Sequence, residues 1–119
     1  MENIKLLLDK HESLKSKGLR LTDSDIHNWI WILDTMIDMF IELDSECDEL
    51  EEQLKNAMDN ETILLKNEWW TDMTIKAKVK DKFYNDKIML IQLQKKRNIV
   101  RYKQESVNHY INLAKRVVK

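Results

Sequence analysis

Three histidines, one cysteine and four tryptophans are the residues of this sequence best equipped to coordinate, react or recognise. His11, His27 and His109 fall on three different predicted helices. None has a second histidine three or four residues away, and no HExxH occurs, so the spacing that a zinc site needs is missing. Cys47 sits on the apolar seam of a predicted helix, where a thiol is inert packing rather than a nucleophile. Gly18 is the single glycine, which leaves no glycine-rich loop to cradle a phosphate. The tryptophans point elsewhere. Trp69 and Trp70 are adjacent, and neighbours on a helix project about 100° apart, so one can pack inward while the other stays accessible. Tryptophan is also enriched among the residues that dominate binding interfaces. Trp31 lies about 200° around the helix from Trp29, so only the N-terminal helix or another subunit can cover it.

Carboxylates come next. Glu42, Glu46, Glu49 and Glu52 lie close together, and Glu49 with Glu52 forms an ExxE pair. That pair resembles one half of the magnesium site in all-helical nucleotide pyrophosphohydrolases, which join an ExxE on one helix to an ExxD on another. The basic C-terminal half offers no second pair. No catalytic residue, metal or cofactor is therefore assigned, and the chain reads as non-enzymatic. A helical hairpin with a tryptophan near mid-chain is also similar to small secreted hairpin proteins with a WxG turn. Here the residues are Trp69-Trp70-Thr71-Asp72, without the glycine, and the match is rejected.

Charge is distributed unevenly. The formal net charge is −1, yet residues 23–61 hold thirteen acidic residues against one basic, Lys55. Residues 73–119 hold thirteen basic against three acidic, Asp81, Asp86 and Glu105. Two readings follow. In the first, the acidic surface at Asp44, Asp48, Glu51 and Glu52, together with Trp69, Trp70 and Trp31, recognises a protein partner. In the second, Lys76, Lys80, Lys95, Lys96, Arg97, Arg101 and Lys103, with Tyr84 and Tyr102 among them, follow a nucleic-acid backbone. The lysines at 76, 78, 80 and 82 alternate and so spread around a helix, and no helix-turn-helix signature is legible. The cations are therefore expected to meet the acidic helix, within the chain or across a dimer, and protein recognition is the preferred reading.

These residues must be positioned by helices. The 119 residues are the length of one domain, and with no proline they nearly lack the punctuation that strands and tight turns require. A hydrophobic fraction of 43% supports a core, and a charged fraction of 34% suits solvated helix faces. The apolar run near Trp29–Leu33 is bounded by Asp25 and Asp34 and is far too short to span a bilayer. The N-terminus carries no basic region or small-residue cleavage site, so a cytoplasmic setting is expected.

Helix 1 is predicted over about residues 2–17, with Ile4, Leu7, Leu8, His11 and Leu14 on one face and Gly18 as its stop. Helix 2 is predicted over about 22–58. Thr22 is its N-cap, Asp25 completes a capping box, and Leu21 and Ile26 form a hydrophobic staple. Its seam keeps a heptad: Ile26, Leu33, Phe40, Cys47 and Leu54 at one position, Trp29, Met36, Leu43, Leu50 and Ala57 at the other. All ten are apolar, the signature of coiled-coil-like packing. The first half of the stripe is wide and needs a second covering helix, for which helix 1 is the candidate. A short connecting helix is expected at about 60–72.

Helix 3 is predicted over about 73–118, with one stripe from Phe83 through Leu90, Leu93, Val100, Val107, Ile111, Ala114 and Val118, interrupted by Arg97 and Gln104. A neighbouring stripe holds Ile88, Ile91, Ile99, Tyr102, Tyr110, Leu113 and Val117. The sum is a single all-α domain, an elongated antiparallel helical hairpin of three main helices. Apolar surface left over on helices 2 and 3 predicts a homodimer. The abundance of Lys, Asn and Ile suggests an AT-rich source such as a phage or a low-GC bacterium.

Overall fold

A computed structural model describes residues 2–118. Among them the chain is all-α and builds a helical hairpin, with no strand. Helix α1 spans Glu2–Lys15, a 3-10 turn follows at Gly18–Arg20, and α2 spans Asp23–Asn67. After it come α3 at Asp72–Lys82 and α4 at Tyr84–Val117. The predicted helices are therefore redrawn in three places. Helix 1 stops at Lys15, two residues early, because the chain turns there and reaches Gly18 at φ +56°, the left-handed region that glycine enters without steric cost. The expected connecting helix does not exist as an element. Residues 60–67 belong to α2, since nothing before Glu68 interrupts its backbone ladder. The single helix 3 is two helices, with Phe83 between them at φ −102° and ψ 13°.

That break owes nothing to glycine or proline. The Phe83 amide still donates to the Val79 carbonyl at 3.1 Å, and its carbonyl still accepts from Lys87 at 3.0 Å, so the ladder bends more than it parts. Tertiary burial supplies the reason. Phe83 joins Leu54, Leu65, Ile75 and Val79 in one buried cluster, against which Ala57, Met58 and Leu90 pack. Tilting α3 at Phe83 lets Ile75 and Val79, one turn apart, reach α2 while the lysines between them stay in water.

The helices form two compact units, one of Met1–Glu42 with Arg97–Lys119 and one of Leu43–Lys96. In the second, Leu90 packs on the cluster around Leu54, while Leu93 shares a shallow hollow with Glu46 and Leu50. Rising numbers on α4 thus meet falling numbers on α2, the antiparallel order the hairpin requires. Cys47 is buried in this unit, as its seam position predicts.

The first unit starts from the capping box. The Thr22 amide donates to Asp25 Oδ2 at 2.9 Å, and the Asp25 amide donates to Thr22 Oγ1 at 3.3 Å. Lys17 Nζ adds an ion pair to Asp25 Oδ1 at 2.7 Å. The Lys17 hydrogen bond first, and the Thr22 amide second, hold the Asp25 carboxyl below its usual range. Behind the cap, Ile4, Leu7, Leu14, Trp29, Ile32 and Met36 are buried, as are Val100, Val107, Ile111 and Ala114 on α4. Helix α1 covers the wide half of the stripe, as expected. Its His11 is buried, and Trp29 Nε1 donates to His11 Nδ1 at 2.8 Å. The Tyr110 ring lies edge-on to His11 at 5.4 Å and stacks on Trp29 at 6.3 Å between centroids. Gln104, which interrupts the α4 stripe, leaves its Oε1 buried with no hydrogen-bond partner among the described residues, a local cost of about 1–3 kcal/mol.

Two expectations follow from the His11–Trp29 pair. Trp29→Ala should lower the unfolding free energy by roughly 3–5 kcal/mol, because it opens a cavity and strips His11 of its donor. The second concerns pH. Burial first, and the Lys15 cation second, hold the His11 imidazole below its ordinary value of 6.5; Lys103 adds to this and Glu12 opposes it. The unfolded chain takes up a proton at the ordinary value while the native Nδ1 is occupied as an acceptor. Stability is therefore full above that value and declines as pH falls through it toward the lower native value. Urea titrations between about pH 7.5 and 5.5 should show that decline, and His11→Gln should flatten it.

Candidate protein-binding turn

The end of α2 is built from backbone hydrogen bonds of a definite kind. The Trp69 amide donates to the Lys66 carbonyl at 3.1 Å and the Trp70 amide reaches back to the Leu65 carbonyl at 3.5 Å. This is a Schellman motif, which needs a left-handed residue at the first position beyond the cap. Glycine usually stands there. Here it is Trp69, at φ +67°, the one non-glycine residue with positive φ among those described. A side chain in that region costs about 1–2 kcal/mol.

What the chain does with the side chain is as informative as the backbone. Trp69 is 94% exposed, so its indole gains no intramolecular packing to offset the strain. Trp70 differs. It is 43% exposed, its Nε1 donates to Glu68 Oε2 at 3.0 Å, and Lys78 Nζ sits 3.5 Å from its ring centroid. A cation over an exposed ring contributes about 0.5–1 kcal/mol, enough to orient the indole. Thr71 then caps α3, accepting from the Thr74 amide at 3.3 Å. One tryptophan is thus held and the other is presented.

Ile63, Leu64 and Met73 extend the exposed apolar surface on both sides, on the last turns of α2 and the first turn of α3. Five large apolar side chains stand in water within residues 63–73. The sequence reading named the two tryptophans and missed these three, along with Lys78 and Glu68. A signal was available in Ile63-Leu64-Leu65, because a helix that buries Leu65 must turn its two neighbours outward.

The other predicted site residues are placed as follows. Trp31 is in the first unit, half exposed, with Lys10 Nζ 4.9 Å from its ring centroid, and it walls a groove of about 330 Å³ with Asp25 and Ile32. On α2 Asp44 is half-buried, whereas Asp48, Glu51 and Glu52 are exposed. Glu52 lies fifteen residues before the end of α2 at Asn67, about 22 Å of helix, so the acidic surface and the tryptophan turn are not one site. Among the described residues, Glu46, Asp48, Glu49, Glu51 and Glu52 have no cation within 4 Å. The expected pairing of acidic and basic helices is seen in this unit between Glu61 and Lys82, at 2.7 Å. Of the cations in the nucleic-acid reading, Lys76, Lys80, Lys95, Lys96 and Arg101 are exposed, while Arg97 and Lys103 are half-buried. Lys76 and Lys80 belong to α3 and the other five to α4. No group of His, Cys, Asp and Glu with metal-binding geometry occurs among the described residues, nor is any helix long and apolar enough to cross a membrane.

Protein-family models, curated proteins and solved structures offer no match to this chain.

The geometry of the turn predicts an unusual sign. Trp69→Gly relieves the left-handed penalty and returns roughly 0.5–1 kcal/mol of unfolded-chain entropy, for a net stabilisation of about 0.5–1 kcal/mol. Thermal melts of the two proteins should show the variant melting higher. An equal or lower melting temperature would mean that the indole packs in solution.

Proposed function

We propose that the chain is a non-enzymatic protein–protein interaction module, an adaptor, regulator or inhibitor, that engages its partner through the turn between α2 and α3. Trp69 carries the reading. The largest apolar side chain in the sequence's repertoire is held in water on a strained backbone, where glycine would be more stable, and only an intermolecular contact repays that arrangement. The held Trp70 and the apolar Ile63, Leu64 and Met73 supply the surround that excludes water from a central anchor. The same reading takes the protein to act in the cytoplasm, to self-associate, and to come from a phage or low-GC bacterium.

A second reading, nucleic-acid binding along α4, is favoured by one observation. Lys95, Lys96 and Arg101 stay exposed beside Tyr102, which is 68% exposed, although the same chain carries an acidic helix. A gel-shift with mixed DNA and RNA at low and moderate salt separates the two, since retardation that fades with salt belongs to the second alone.

The test of the first uses the Trp69→Gly chain, which keeps its fold. Affinity capture from the native host, followed by titration of the recovered protein against purified wild type and variant, should show affinity falling by roughly 30-fold or more, about 2 kcal/mol. Equal affinity would remove the turn from the interface.

A further inference from the structure

The first unit carries two exposed stripes of opposite charge. On α2, Trp31, Asp34, Asp38 and Ile41 follow one another at helical spacing, with Glu42 beside them. All are exposed, Trp31 and Ile41 by more than half, and none of the three carboxylates has a cation within 4 Å among the described residues. On α4, Ile99, Tyr102, His109, Leu113 and Val117 make a second stripe, again exposed throughout. It is flanked by Arg101, which reaches its own Glu105 only at 3.9 Å, and by Arg116. The α4 stripe lies opposite Val100, Val107 and Ile111, which are buried. Helix α4 is thus apolar on two opposing sides, and the chain itself covers one of them.

We propose that a second copy of this chain covers the other, with the acidic stripe of its α2 lying on the basic stripe of α4. Charge decides the occupant. Two α4 stripes placed together would set Arg101 and Arg116 against their own kind, and two α2 stripes would oppose six carboxylates. Only the unlike pairing joins Asp34, Asp38 and Glu42 to the arginines while burying Trp31 and Ile41 against Ile99, Tyr102 and Leu113. The contact is heterologous, one face on a different face, so each copy has both a donor surface and an acceptor surface. Like-charge contacts disfavour the wrong pairings, and opposite charges set register and encounter rate. The proposal deepens the self-association put forward above and uses a surface separate from the Trp69 turn, so recognition of a partner at that turn is tested apart from it.

The experiment is a charge exchange read by sedimentation. At about 100 µM and low salt the wild type should sediment as two or more copies, and raising the salt to about 0.5 M should weaken association at least tenfold. Asp34→Lys with Asp38→Lys in one chain, and Arg101→Glu with Arg116→Glu in another, should each give a 14.4 kDa species with unchanged helicity. An equimolar mixture of those two chains should associate again, because each brings the complement of the other's altered face. Trp69→Gly should associate like wild type. A wild type that stays monomeric, association that survives either exchange, or a mixture that stays monomeric overturns the proposal. If either exchanged chain is unfolded, Asp34→Asn with Asp38→Asn and Arg101→Gln with Arg116→Gln carry the same test. Each should weaken association at least tenfold, and unchanged association overturns the proposal.

Discussion

The burial of the α2 seam is the constraint from which the other helices take their places. Alternate spacings of three and four residues put Ile26, Trp29, Leu33, Met36 and their successors to Ala57 on one side of a helix that runs unbroken from Asp23 to Asn67. Every one of these ten positions is buried or half-buried. A lone helix cannot remove such a stripe from water, and each apolar side chain that leaves it gains about 1.5–3 kcal/mol. Where the stripe is broad, α4 is joined by α1, and Ile4, Leu7 and Leu14 fill the added width. Where it narrows beyond Asp44, α4 is joined only by the short α3, whose burial rests on Ile75 and Val79.

Within that arrangement the polar atoms that enter the core are handled unequally. His11 accepts from Trp29, and Asp25 is held by Lys17 and Thr22, so two of the groups that would cost most are satisfied. Gln104 Oε1 is not. A polar seam residue of this kind weakens a helix pair but penalises other registers more, since a slip would bury further polar atoms without partners. The hairpin gives up some stability at Gln104 in a stripe that is otherwise apolar.

The turn after Asn67 reverses that logic. Other large apolar side chains are exposed as well, Leu19 and Met73 among them, but each stands on an ordinary backbone, and the other left-handed residue among those described is a glycine, Gly18. At Trp69 a nearly fully exposed indole and a left-handed backbone coincide, and the coincidence is local. The flanking hydrogen bonds of the Schellman motif and the Thr71 cap are intact, so the strain is borne by a well-formed turn rather than a loose one. Rigid presentation lowers the entropy that a binding residue loses when it docks. A mobile loop bearing the same tryptophan would be a poorer recognition element.

Much of the architecture was legible in the sequence because it depends on near-neighbour terms. Periodicity identified the α2 seam and the buried stripe of α4. Capping chemistry located the start of α2, and the lone glycine located the left-handed residue after α1. These signals act over one or two helical turns, and the folded chain had no stronger interaction with which to override them. The bend at Phe83 could not be read in the same way. Its dihedral change is driven by contacts with Leu54 and Leu65, residues distant in sequence, and no breaker marks the place. The continuation of α2 to Asn67 was hidden by Asp59-Asn60, which looks like a cap yet lies within a helix held by Leu65 in the cluster. For Trp69 and Trp70 only the adjacency of two indoles was legible. Which one would be held, by Glu68 and Lys78, and which would stand on a left-handed backbone was decided by where the helix ended, and that was set by the burial of Leu65 against α3 and Phe83.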